Sequence, residues 1–280
     1  MNFDSILAVS DFTVNSEHAL ERAALLAQQH QATLRLAFHT EDRHPYLAHP
    51  VARLEQRARQ LGRRYNLVVH TVQKICSIDE LLEEAKSVDL LVMGPLTHRH
   101  WKRFHKGTTL DQAVHGSTCP LLVVRRQAAR MYERVLVSID LSPQSSTLID
   151  IGHRLCQPSQ LRLFHAIDTV GETKLRSADA SQQAIQSYRV SSRQNAKERL
   201  ATLVDSLERR DRPVTYDVGH GDPAYSAALQ QHATRAELIV VGKRRLSAWE
   251  RIVTGSVAQR LVKWADGDVL VTPFERFQTT

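Results

Sequence analysis

The chain carries the same pattern twice. Phe3-Asp4-Ser5-Ile6-Leu7-Ala8-Val9-Ser10-Asp11 returns as Tyr132-Glu133-Arg134-Val135-Leu136-Val137-Ser138-Ile139-Asp140. Each run is β-branched and Leu-rich, ends in an aspartate, and passes into a Ser/Thr/Asn segment. Leu34–His39 is answered by Leu161–His165 with one residue of slippage, Asp89–Gly94 by Glu237–Gly242, and Pro120–Val124 by Asp268–Thr272. Four landmarks recurring in one order constrain the fold more than any single motif, because two copies of a sequence must form two copies of one unit.

Between the landmarks the apolar spacing turns helical. Ala19, Leu20, Ala23, Ala24 and Ala27 share one face, as do Leu148, Ile151, Gly152, Leu155 and Cys156 in the second copy. Asn15/Ser16 and Ser145/Ser146 precede these stripes as candidate N-caps. Further helices are expected over Val51, Leu54, Ala58, Leu61, over Ile78, Leu81, Leu82, Ala85, and over Ala196, Leu200, Leu203, Val204, Leu207. Each copy therefore reads β-α-β-α-β-α-β-α-β. Strands apolar on both faces that alternate with helices imply a parallel sheet covered on both sides. The expected domains are residues 1–128 and 131–276. The short polar join Arg125–Met131 leads to the expectation that the two halves pack against each other.

Composition excludes several classes. Of the 280 residues 42% are hydrophobic and 24% charged, enough for a real core and against bulk disorder. No apolar run reaches the ~20 residues of a membrane span, and Met1–Ser5 lacks the basic and apolar regions of a secretion signal, so a cytoplasmic location is expected. Cys76, Cys119 and Cys156 form no CxxC pair, which excludes a disulfide framework and a zinc knuckle. The net charge of +7 is divided almost evenly between the halves. With no basic arm or recognition motif, it favours anionic small molecules over nucleic acid.

In open parallel sheets, ligands bind beyond the carboxyl ends of the strands, where the strand order reverses. The first strands there end in Asp11 and Asp140. The fourth are followed by Gly94…Gly107-Thr108 and Gly242…Gly255-Ser256, each glycine pair separated by the same thirteen positions. A Gly-Ser or Gly-Thr opening a helix suits an anion: the backbone approaches closely, the hydroxyl caps, and free N–H groups face the charge.

These marks resemble the universal stress protein family along nearly the whole chain. ATP-binding members carry a G-x2-G-x9-G-(S/T) loop after the fourth strand. Here it reads Gly242-Lys243-Arg244-Arg245, nine residues, Gly255-Ser256, and Gly94-Pro95-Leu96-Thr97, nine residues, Gly107-Thr108. Arg245 and Thr97 stand where that family has its middle glycine. Gly221-Asp222-Pro223 before the third helix of copy two is a further mark, and copy two matches better. The resemblance implies an α/β fold of two tandem doubly wound domains, each a five-stranded parallel sheet in the order 3-2-1-4-5 with helices on both faces. It also implies that the fifth strands, Leu121–Val124 and Val269–Val271, pair with each other as an internal pseudo-dimer, with a homodimer of chains as a further option. By resemblance Asp140 and the backbone near Ala166 would face adenine and ribose, and Gly242, Gly255, Ser256 and Val257 the phosphates of ATP with Mg2+. Arg245 is read as offering its guanidinium to a phosphate. The copy-one equivalents are Asp11, Thr40, Gly94, Gly107, Thr108 and Thr109.

The implied function is a stress-response or regulatory protein that binds ATP in its second domain. The alternative is a nucleotide-independent scaffold for a macromolecular partner or small ligand. Residues 98–106 around Trp101 and Phe104, and Lys243, Arg244, Arg245 and Arg251 around Trp249, form basic loops that could clamp phosphate or stay solvated. No His pair has metal-ligand helical spacing, and no metal is expected. His39 and His165 read as structural, each satisfied by a backbone carbonyl. No nucleophile elbow, P-loop or repeated acid pair is present, so at most slow ATP hydrolysis is expected.

Overall fold

The computed structural model describes residues 3–40, 49–95, 108–156, 161–208, 214–243 and 256–274. It divides into two units, Met1–Met131 with Gly267–Thr280, and Tyr132–Asp266.

The first unit alternates strand and helix from its start: β1 (Ser5–Ser10), α1 (Val14–His30), β2 (Thr33–His39), α2 (Pro50–Tyr65), β3 (Val69–Cys76), α3 (Ile78–Ala85), β4 (Leu90–Met93), α4 (Thr109–Gly116) and β5 (Leu121–Val123). The parallel pairings β3-β2, β2-β1, β1-β4 and β4-β5 give the order 3-2-1-4-5. All four residues of β4 and all of β1 but Ser5 are buried, as a central strand covered on both faces requires. α1 lays Ala19, Leu20, Ala23, Ala24, Leu26 and Ala27 on the sheet.

The last strand of the chain, β10 (Asp268–Pro273), belongs with this first unit. It runs antiparallel to β5, with Val269 opposite Val123, Leu270 opposite Leu122 and Val271 opposite Leu121. The pairing inferred for the two fifth strands is therefore observed. It hides two apolar edges that would otherwise invite association. A buried ionic cluster anchors its first residue. Asp268 Oδ1 accepts from the amides of Arg125 (2.8 Å) and Arg126 (3.3 Å). Asp268 Oδ2 lies 3.7 Å from Arg22 Nε, and Arg22 donates to the Arg130 carbonyl at 2.7 Å.

The second unit holds β6 (Val135–Ser138), α5 (Ser145–Leu155), β7 (Leu161–Ile167), α6 (Val170–Ser177), α7 (Gln182–Glu208), β8 (Thr215–His220), α8 (Pro223–Thr234), β9 (Leu238–Lys243) and a ninth described helix, α9 (Val257–Trp264). Its parallel pairings give β8-β7-β6-β9, the first four places of the same order. Two expectations change here. α6 is a helix that the apolar periodicity did not predict, because its short polar sequence carries no apolar stripe. The N-caps also shift: Thr13 caps α1, accepting from Ser16 N at 3.3 Å, and α5 starts after Gln144 with no side-chain cap. Gly221 takes φ 117°, a value glycine tolerates, and Asp222 caps α8 by accepting from Tyr225 N at 2.9 Å.

The acids that open the fourth strands are structural. Asp89 Oδ2 accepts from the amides of Asp4 and Ser5, and Glu237 Oε2 from that of Glu133, closing the amino end of each sheet.

Candidate functional site

β1 and β4 are neighbours whose outgoing connections leave to opposite sides, so the crevice of the first unit opens at their carboxyl ends; β6 and β9 repeat this in the second. At the first of these places Asp11 Oδ1 accepts from the Thr13 amide (2.9 Å) and hydroxyl (2.6 Å), and at the second Asp140 Oδ1 accepts from the Ser142 amide (3.0 Å). The residue after each aspartate is left-handed, Phe12 at φ 59° and Leu141 at φ 58°. Side chains other than Gly, Asn and Asp seldom sit there, so the duplicated turn is held by the surrounding structure in both copies.

The strand ladders correct one alignment. Ile6 pairs with Leu34 and Val135 with Leu161, so counting along the strands sets Phe38 against His165, His39 against Ala166 and Thr40 against Ile167. His39 and His165 are not equivalent, nor are Thr40 and Ala166. A slip of one residue turns a strand side chain to the other face. The histidines accordingly use different carbonyls: His39 Nδ1 lies 2.8 Å from the Cys76 oxygen, and His165 Nδ1 2.9 Å from that of Ile139. Each meets a backbone carbonyl, as read from the sequence.

In the second unit Leu141, His165 and Ile167 join Ser191, Ser192, Asn195, Ala196 and Arg199 of α7 around a cleft of ≈ 330 Å³. Arg199 donates to the Leu141 carbonyl at 2.8 Å. In the same unit Glu172 of α6 is buried, with Arg189 Nη2 at 2.6 Å and His220 Nε2 at 2.5 Å. The Arg189 hydrogen bond, aided by His220, holds the Glu172 carboxyl down at about 2. Neither the α7 wall nor this ion cluster was foreseen, since their members lie far apart in the sequence.

The first unit differs at the same positions. Phe12 and Phe38 replace Leu141 and His165, and their rings stack at 4.7 Å with an interplanar angle of 26°. The α2 and α7 stripes Leu54/Ala58/Leu61 and Leu200/Val204/Leu207 align Arg53 with Arg199. The Arg53 guanidinium lies 4.4 Å from the Phe12 ring centroid.

The helices after the fourth strands begin as expected with a capping hydroxyl. Thr108 Oγ1 accepts from the Asp111 amide (3.1 Å), while the Thr108 amide and hydroxyl donate to Asp111 Oδ2 (3.1 and 2.9 Å). Ser256 accepts from the Gln259 amide (3.2 Å), and its own amide donates to Gln259 Oε1 (3.0 Å). Only the first box carries a negative charge. Val257 is the first residue of α9, Ala166 lies in β7 opposite Gly219, and Gly242 is half-buried in β9. Gly94 is glycine for a packing reason: a Cβ there would meet the Asn15 carbonyl oxygen at 2.6 Å. Gly107, Arg245, Gly255, Thr97 and the basic loops lie outside the described residues. Among the described residues no group of His, Cys, Asp and Glu could hold a metal, and no helix is long and apolar enough to cross a membrane. All three cysteines are buried, and burial pushes the Cys156 thiol up to about 11.

Two doubly wound units with capped helices at the strand-order switch define a tandem α/β protein. The universal stress protein family model matches residues 2–125 and again 131–273, and the chain belongs to that family. Its fold is similar to a universal stress protein from Archaeoglobus fulgidus DSM 4304 (14% identity, TM-score 0.69, covering 98% of this chain and 100% of that one). It is also similar to a putative universal stress protein from Pseudomonas aeruginosa UCBPP-PA14 (18%, 0.68, 97% and 93%). A functionally unknown protein from Pseudomonas aeruginosa PAO1 is comparable (19%, 0.67, 97% and 92%). No curated protein matches the chain.

Proposed function

We propose that this protein is a cytoplasmic, nucleotide-responsive regulator of the stress-response type that takes ATP, with Mg2+, in its second unit. The observation that carries the reading is the cleft over β6 and β7. Its volume of ≈ 330 Å³ falls at the lower end of small-ligand sites, and its wall offers the hydroxyls of Ser191 and Ser192 and the amide of Asn195 to a base edge or ribose. The group fits the residues present. Asp140 and the backbone at Ala166 are assigned to the nucleoside; Gly242, Gly255, Ser256 and Val257, with Arg245, are assigned to the phosphates. The capping side chain of α9 is the uncharged amide of Gln259, where α4 has the carboxylate of Asp111. Binding rather than turnover is the output in this reading.

Calorimetric titration with ATP and magnesium tests it. Binding with a dissociation constant of about 1 mM or tighter is expected, with loss in Gly255→Trp. No heat and no co-purifying adenine nucleotide would end the reading. The second reading, a nucleotide-independent scaffold, is favoured by Arg245 and Thr97 in place of glycine. Tightly bound ATP that Gly255→Trp removes would count against it.

A further inference from the structure

We propose that α6 and the first half of α7 form a gate along the cleft of the second unit, and that the Glu172 carboxylate is the latch that holds it in place. Glu172 is a positioning residue: it lines no part of the cleft and sets where the α7 wall stands. The inference rests on the nucleotide reading only for the ligand used to probe the cleft.

The gate follows from where α7 is buried. Its 27 residues make a rod of about 40 Å, whereas the six residues of β8 span about 20 Å. Ala196, Leu200, Val204 and Leu207 are buried, all in the second half of the helix. From Gln182 to Asn195 no residue is buried, so these turns lie outside the core. Ser191, Ser192 and Asn195 of this stretch are the cleft wall, and just beyond them Arg199 ties the helix to the Leu141 carbonyl at 2.8 Å. The part of α7 with core contacts and the part without them therefore meet at the wall itself. A cleft of ≈ 330 Å³ stands at the narrow end of the ~300–1,000 Å³ that small-ligand sites occupy, so a ligand as large as ATP enters with this wall displaced.

α6 supplies no apolar anchor. Its one buried residue is Glu172, and Val170 at its start is exposed. A helix of eight residues has little stability of its own. Glu172 Oε2 accepts from Arg189 Nη2 of α7 at 2.6 Å, and Oε1 meets Nε2 of His220, the last residue of β8, at 2.5 Å. Among the described residues no other hydrogen bond or ion pair joins α6, or α7 ahead of Arg199, to the sheet. Arg189 and His220 both reach water, so breaking the junction hydrates charges and tears open no apolar core. Segments held this way supply the local openings of a folded protein.

Hydrogen–deuterium exchange of the full chain, read by mass spectrometry, tests the latch without any ligand. Glu172→Gln should speed exchange over residues 170–195 about tenfold or more, while β6, β7 and β9 keep the wild-type rate. Arg189→Lys, which keeps the charge on the α7 side, gives a smaller rise over the same residues and stands in if Glu172→Gln does not fold. Stopped-flow mixing with ATP and magnesium tests the gate. Association is limited by the displaced form, so Glu172→Gln raises its rate about tenfold. A wall that is merely damaged would bind no faster. Exchange that rises through the whole second unit, or fails to rise over 170–195, overturns the latch. An association rate equal to or below that of the wild type overturns the gate. If neither protein binds ATP, the nucleotide reading fails and the exchange pattern alone decides the proposal.

Discussion

Asp268 and Arg22 form a deeply buried ion pair at the start of β10. The Asp268 side chain is 1% exposed, and it faces Arg22, itself 7% exposed, at 3.7 Å. At an effective dielectric near 20 such a pair attracts by about 4 kcal/mol, and removing one partner of a buried pair costs about 3–5 kcal/mol because the other charge stays behind. Asp268→Ala also strips the acceptor from the Arg125 and Arg126 amides, each a further ~1–3 kcal/mol when left dry. Arg22 keeps its bond to the Arg130 carbonyl, which limits the loss. A net destabilisation of about 4 kcal/mol is expected, a fall in midpoint of roughly 10 °C for a unit of this size. Urea and thermal unfolding followed by circular dichroism measure it. Asp268→Asn retains an oxygen for the two amides and should lose less than Asp268→Ala. Arg22→Met with Asp268→Leu removes both charges and should recover much of the loss. A change under about 1 kcal/mol in Asp268→Ala, or a double variant no better than the single, would refute the view that a buried ion pair seats β10.

Three further outcomes are expected. Glu172 is an acid whose folded value, about 2, lies below the ordinary 4.5, so its contribution is present above the ordinary value and is lost as pH falls toward 2. Glu172→Gln should therefore unfold sooner than the wild type near neutrality, with the gap closing by about pH 2–3 in acid titrations; a gap that persists unchanged in acid would contradict this. Burial, with the hydrogen bond to Glu21, raises the Tyr65 phenol to about 12. Its stabilisation is present below the ordinary value of 10 and is lost as pH climbs toward 12. Tyr65→Phe should cost ~1–2 kcal/mol at neutral pH and flatten the alkaline decline, and an unchanged decline removes the assignment. Gly94→Ala drives a methyl into the Asn15 carbonyl and should cost about 1–3 kcal/mol in thermal unfolding; no loss would mean that the first turn of α1 yields freely.

Much of the crevice was legible before any coordinates. Asp11, Asp140, Thr108 and Ser256 were placed at strand ends and helix starts by the repeat and by residue chemistry, and they stand there. Gly94 was singled out for a phosphate, and the close neighbour the structure gives it is the carbonyl of Asn15. The Glu172, Arg189 and His220 cluster was not legible, because its members lie far apart in the chain.

Local periodicity and self-similarity determined the tandem α/β plan, since alternation of a 3.6-residue and an extended apolar pattern leaves few ways to bury both faces of a sheet. Tertiary structure alone decided which residues correspond across the two copies. The pairing of Ile6 with Leu34 and Val135 with Leu161 sets Phe38, not His39, against His165, and no local signal reports a one-residue shift of a strand. It also decided that β10 joins β5, that Arg22 meets Asp268 deep inside, and that Phe12 lies on Phe38 beneath Arg53. Each of these depends on contacts between distant parts of the chain, whose geometry is set by packing rather than by neighbours in sequence.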